Sequence, residues 1–228
     1  MTPRDPVFLF DLDGTLVDSA PGIHASIDHA LATLGRPPLP VAQLPRWIGP
    51  PLRQSFATVC ADAAEVERAV DAYRARYAAQ GWAEHRVYPG IPELLQQLAA
   101  QGAQLAVVTS KVERYARQIV QAASWGQSCS AVYGVGETSA HSEKAAQIAQ
   151  ALRDFAIPAR AAVMVGDRSY DIEGAHANGV RGVGVLWGYG AREELAGAGA
   201  DALAAQPADL RLPAACGDNA APLTKESA

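Results

Sequence analysis

The sequence predicts an α/β fold, a doubly wound, Rossmann-like parallel sheet core with an inserted all-helical cap. Three observations lead there. Short apolar runs alternate with longer helical stretches along most of the chain. The central runs are apolar nearly throughout, as strands covered on both faces are. The stretch from Leu16 to Val87 breaks this rhythm and contains no convincing strand.

The elements follow in order. Val7–Phe10 is the first strand. Ala20–Leu34 reads as a helix with Ser19 as its N-cap and Pro21 in its first turn, ended by Gly35-Arg36-Pro37-Pro38. Val41–Trp47 reads as a short helix stopped by Gly49-Pro50-Pro51, and Leu52–Cys60 and Ala64–Gln80 as two further helices. Ile91–Gln101 follows a Pro-Gly turn and stops at Gly102. The strand Leu105–Val108 then leads to an amphipathic helix, Val112–Ala123. Next come the strand Ala131–Val135 and the helix Glu143–Asp154, whose apolar positions are Ala145, Ile148, Ala149 and Leu152. The strand Ala162–Val165 leads to the helix Ile172–Asn178, stopped by Gly179, and Gly182–Leu186 is the last strand. The expected organisation is a core of residues 1–16 and 88–212, a cap of residues 17–87, and an aperiodic, disordered tail of residues 213–228.

Composition narrows the function classes. A chain of 228 residues with 49% hydrophobic residues buries enough surface to fold without disulfides or a structural metal. Cys60, Cys129 and Cys216 have no metal-ligand spacing, and a reducing cytoplasmic setting is expected. No apolar run is long enough to span a bilayer, and the short run at Val7–Phe10 is no signal sequence, so no membrane partner is expected. The net charge of −5 and the absence of a long Lys/Arg run argue against a nucleic-acid polymer. A small acidic substrate remains compatible with that charge, because a site sets its own local sign.

Chemistry gathers at the strand ends. The first strand runs into Asp11-Leu12-Asp13-Gly14-Thr15, the next into Thr109-Ser110-Lys111, and a later one into Gly166-Asp167-Arg168-Ser169-Tyr170-Asp171. In an open parallel sheet, ligands bind beyond the carboxyl ends of the strands. Each aspartate alone reads equally well as a turn or cap residue. Together they place several carboxylates on one edge. A cation relieves their repulsion, and hard oxygen ligands favour Mg²⁺.

These motifs resemble those of the haloacid dehalogenase superfamily in its phosphatase form. DLDGTLVDS resembles the nucleophile motif, and Thr109, Lys144 and GDRSYDI follow in the family's order. The resemblance covers about residues 5 to 212, and the helical insert falls where capped members carry theirs. It implies that Asp11 is the nucleophile, forming an aspartyl-phosphate, and that Asp13 is the general acid and then base. It implies phosphoryl binding by Thr109 and Lys144, with Lys111 the second candidate for the lysine role. It implies Mg²⁺ held by Asp11, Asp167 and the Asp13 carbonyl, and by Asp171 directly or through water. Dehalogenases and phosphonate hydrolases lack an acid/base aspartate at the Asp13 position, so its presence favours a phosphate ester substrate.

The cap is expected to set specificity. Its candidates are Gly49 and Arg53 in WIGPPLR, with Arg53 facing an anionic substrate. Trp187 and Tyr189 pack either over the site's edge or in the core. IGPPL together with GVLWGYGAREEL resembles the 5′-nucleotidase-like branch, close to the phosphoglycolate phosphatases. The expected function is thus Mg²⁺-dependent hydrolysis of a small phosphorylated metabolite, a nucleoside 5′-monophosphate or phosphoglycolate, by a monomer or homodimer. The alternative is a phosphomutase of the β-phosphoglucomutase type.

Overall fold

The structure is a computed structural model that describes residues 6–136 and 144–212. The tail expected from residue 213, with Cys216, and the helix start expected at Glu143 lie outside the described residues.

Among the described residues, six parallel strands form the main sheet in the order β5-β4-β1-β6-β7-β8. They are β1 (Val7–Phe10), β4 (Gln104–Val112), β5 (Ala131–Val135), β6 (Ala162–Gly166), β7 (Arg181–Val185) and β8 (Ala202–Ala204). The flanking helices are α4 (Ile91–Ala100), α5 (Glu113–Ala122), α6 (Lys144–Asp154), α7 (Ser169–Ala177) and α8 (Arg192–Gly197). This is the expected doubly wound core. β8 escapes the sequence pattern because it is a three-residue, alanine-rich strand, which β-propensity disfavours.

Alternation along β1 divides the core in two. Phe8 and Phe10 join Leu105, Val107, Val163 and Val165 in a cluster covered by α4 and α5. Val7 and Leu9 join Ala106, Val108 and Met164 in a second cluster covered by α6 and α7. Both faces of β1 are therefore dry, which is why its sequence shows no polar alternation.

Between β1 and α4 lie α1 (Ala20–Thr33), α2 (Leu52–Ala57) and α3 (Ala63–Ala79), with a 3₁₀ turn at Val41–Arg46. They share an apolar cluster that includes Ile27, Leu31, Trp47, Phe56, Val70, Tyr73 and Tyr77, and reaches Tyr115 of α5. The insert is not free of strands, contrary to expectation. β2 (Val17–Asp18) and β3 (Arg86–Val87) pair antiparallel and join the helices to the sheet. Two residues each are too few to leave a periodic signal.

The start of α1 also differs from expectation. The Ser19 side chain makes no capping bond. The Tyr189 hydroxyl, distant in sequence, accepts the Ser19 and Ala20 N–H groups at 2.9 and 3.0 Å and donates to Asp18 Oδ1 at 2.8 Å. Among the described residues, no helix is long and apolar enough to cross a membrane.

Candidate active site

Register brings the motifs to one level. Phe10 of β1 lies opposite Val107 of β4 and Val165 of β6. Asp11, Thr109 and Asp167 follow within two residues of those partners, and the Asp11 N–H still bonds the Val165 carbonyl at 2.8 Å. β1 sits where the sheet order reverses, with β4 on one side and β6 on the other. That is the crevice in which such sheets bind ligands.

Pleat parity aims Asp11. It has the parity of Val7 and Leu9, so it faces the side covered by α6 and α7. Lys144 is the first described residue of α6. Its Nζ donates to Asp11 Oδ1 at 2.7 Å and to the Val108 carbonyl at 2.9 Å, and lies 2.8 Å from Asp171 Oδ1. Burial opposes the charge on Lys144, but Asp11 and Asp171 outweigh it and raise its pKa. α7 begins at Ser169, earlier than its apolar pattern suggests, and this puts Asp171 in its first turn. The Arg168 N–H caps Asp171 Oδ2 at 3.1 Å.

Asp167 is held at both oxygens. The Thr15 hydroxyl donates to Oδ1 at 3.2 Å and the Tyr189 N–H to Oδ2 at 2.8 Å. Gly14 makes this approach possible. It has φ +92°, and a Cβ there would lie 2.3 Å from Asp167 Oδ2. Trp187 locks the same loop from above, its indole N–H donating to the Thr15 carbonyl at 3.0 Å.

Three buried carboxylates, Asp11, Asp167 and Asp171, can each offer an oxygen within 4.8 Å of the others. Burial pushes the Asp11 carboxyl up to about 6; Lys144 pulls against this and Asp171 adds to it. Burial, with the charges of Asp11 and Asp171, also raises Asp167 well above the ordinary carboxylate value. Among the described residues, Asp171 Oδ1 accepts no well-directed hydrogen bond, despite its ion pair with Lys144. One lysine facing three carboxylates leaves charge uncompensated and a buried acceptor unused. The residues present therefore fit a divalent cation with oxygen ligands.

Asp13 has a separate partner. Lys111 Nζ donates to both of its carboxylate oxygens, at 2.8 and 2.7 Å, and lies 5.1 Å from the Tyr77 ring centroid. Lys144, the first candidate for the lysine role, thus lies at Asp11, and Lys111, the second, lies at Asp13. Thr109 is buried at the floor, where its hydroxyl accepts the Lys111 N–H at 3.2 Å.

A cavity of about 290 Å³ opens above Asp11, Asp13 and Thr109. Its walls include Trp47, Tyr73, Tyr77, Tyr115, Pro50 and Pro51. Tyr73 and Tyr77 stack at 5.6 Å, and Tyr77 meets Tyr115 edge-on at 5.2 Å. The spacing of Tyr73 and Tyr77 on one helix face was visible in the sequence, whereas nothing there linked them to Tyr115. Gly49 lines the cavity. Arg53 also lines it, but its guanidinium is paired with Glu67 at 2.6 and 2.8 Å instead of being directed at the carboxylates. Cys60 and Cys129 are half-buried thiols away from the carboxylates.

Comparison with known proteins agrees with this geometry. A family model described as haloacid dehalogenase-like hydrolase matches residues 8–185. A 5′-nucleotidase of Pseudomonas aeruginosa is 41% identical over 193 residues, covering 84% of this chain and 87% of that protein. The tyrosine-protein kinase PtkA of Mycobacterium tuberculosis is also 41% identical, over 80% of this chain, which spans only 62% of the kinase. The crystal structure of a predicted phosphoglycolate phosphatase from Haemophilus somnus superposes with a TM-score of 0.80 at 28% identity, covering 92% of this chain and 97% of that one.

Proposed function

Because the chain belongs to the haloacid dehalogenase-like hydrolases and is a phosphoric monoester hydrolase of that family, we propose that it hydrolyses nucleoside 5′-monophosphates with Mg²⁺ as its cation. Residues 17–87 act as the cap. The observation that carries the choice of leaving group is the lining of the cavity. Its walls are aromatic rings and prolines. Of the cations that line it among the described residues, Lys111 is committed to Asp13, Arg53 to Glu67, and Arg74 is solvent-exposed. A glycolate leaving group would bring its carboxylate into this apolar space without a buried cation to meet it, which is costly. A nucleoside is uncharged and presents a flat base to Tyr73, Tyr77 and Tyr115.

In the proposed mechanism, Asp11 attacks phosphorus and becomes the aspartyl-phosphate. Lys144 holds the Asp11 carboxylate in place and neutralises charge at the phosphoryl oxygens, while Thr109 donates to one of them. Asp13, with a proton on one carboxylate oxygen in place of one of its Lys111 hydrogen bonds, gives that proton to the leaving oxygen, then takes one from the water that cleaves the acyl phosphate. Asp11, Asp167 and Asp171, with the Asp13 carbonyl, would hold Mg²⁺, which supplies charge stabilisation to the phosphoryl group. Passing the phosphoryl group to a sugar hydroxyl instead of water gives the mutase alternative. The relatives named as phosphatases support hydrolysis.

The test is phosphate release from purified protein with and without Mg²⁺. Nucleoside 5′-monophosphates are expected to exceed phosphoglycolate in kcat/KM by at least about tenfold. The reverse preference, or turnover that survives Asp11→Asn, would sink the reading.

A further inference from the structure

We propose that Arg168 is a latch, a positioning residue that holds the Ile48–Gly49 turn of the helical insert shut over the pocket. Arg168 leaves the loop between Asp167 and Asp171, yet its side chain turns away from the carboxylates. Its Nη1 donates to the Ile48 carbonyl at 2.7 Å, across 120 residues of sequence. Its Nε donates to Glu194 Oε1 at 2.8 Å, and Glu194 is in turn held by the Ser169 N–H at 2.9 Å. The guanidinium also lies 5.4 Å from the Tyr170 ring centroid. The head group is thus braced on the core side, and its remaining arm reaches the insert.

Tyr170 supplies the stop. Gly49 has φ +107°, and a Cβ there would lie 2.1 Å from the Tyr170 hydroxyl. Arg168 draws the turn in, and Tyr170 limits how far it comes. Only glycine fits between them. The acceptor is a backbone carbonyl, so the bond reports where the turn is and not which side chain it carries. The same turn, from Trp47 to Leu52, walls the pocket above Asp11 and Asp13. The bond exists only when the turn is seated. It therefore contributes a free-energy difference between open and closed states, which closure requires.

This inference goes beyond the identity of the substrate and rests on the phosphatase reading only for one readout. The test uses Arg168→Ala, Gly49→Ala and the double variant. Each is assayed with p-nitrophenyl phosphate, whose ring reaches the turn, and acetyl phosphate, whose leaving group does not. Amide exchange of residues 47–52 is followed in parallel. Each single variant is expected to raise KM for the aryl phosphate about tenfold, the size of one lost charged hydrogen bond, with the acetyl phosphate KM changed less than about twofold. The double variant is expected to match the worse single, because both break one contact. Exchange of residues 47–52 should accelerate in all three while thermal melting of the sheet is retained. Equal losses on both substrates, additive effects in the double variant, or unchanged exchange would each overturn the latch. The exchange readout needs no turnover, so it decides the matter even if the phosphatase reading fails.

Discussion

Lys111 grips Asp13 by both carboxylate oxygens, at 2.8 and 2.7 Å, on the side of the pocket that faces Tyr77. Burial works against the charge on Lys111, yet Asp13 and Tyr77 raise its pKa above that of an ordinary lysine. The pair fixes the rotamer of the proposed acid and base at the mouth of the cavity.

Removing this grip should therefore be felt according to the leaving group. Lys111→Met is expected to slow hydrolysis of an alkyl phosphate about 10²-fold, within the range that general acid–base catalysis supplies. Acetyl phosphate needs no proton on its leaving group and should lose much less. Comparing kcat for both substrates checks this, and equal losses would mean that Lys111 does not act through Asp13.

Asp11→Asn should cost at least about 10³-fold in kcat, since the nucleophile is gone. The same change should stabilise the protein in chelator. The Asp11 carboxyl is raised from 3.8 to about 6 by burial, so its contribution to stability is present below its unfolded value and lost as pH rises through about 6. Thermal melts in chelator from pH 4 to 7.5 should fall for wild type and stay flatter for Asp11→Asn. A parallel decline in both would contradict the assignment.

Cation binding should reverse that instability. At about 100 times Kd, Mg²⁺ is expected to add about 2.7 kcal/mol, or roughly 5–10 °C in Tm for a chain of this size. Asp167→Asn and Asp171→Asn should each shrink the Mg²⁺-induced rise in Tm. A full rise in both variants would place the cation elsewhere.

Tyr189→Phe removes the hydroxyl that caps the Ser19 and Ala20 N–H groups and leaves Asp18 without its phenol donor. The expected loss is about 1–2 kcal/mol of stability, the usual range for a lost helix cap. Faster exchange at the Ser19 and Ala20 amides should accompany it. Unchanged exchange would show that Asp18 alone secures the start of α1.

The fold was legible because its signals are local. Continuous apolar runs mark strands such as β1 and β6, and glycines mark helix ends such as Gly102 and Gly179. The Asp11-Leu12-Asp13-Gly14-Thr15 loop was legible through its resemblance to the family's nucleophile motif, and the close approach of Asp167 shows why Gly14 stands there. β2, β3 and β8 were not legible, being too short to carry a period. Ser19 occupies the N-cap position as read, but its side chain caps nothing, because the acceptor for its own N–H is Tyr189, 170 residues away.

Alone, the sequence determined the fold class, the sheet edge that bears the chemistry and the aspartates gathered there. Strand parity, helix punctuation and motif order are properties of neighbouring residues. Only the tertiary structure decided which aspartate Lys111 serves, which rings wall the pocket and which arginine reaches the insert. Lys144 meets Asp11 across 133 residues because α6 covers the face of the sheet that Asp11 shares with Val7 and Leu9. Lys111 meets Asp13 across 98 residues on the side bounded by α3 and its tyrosine. Such partnerships depend on how distant elements pack, and packing is settled by the whole core at once.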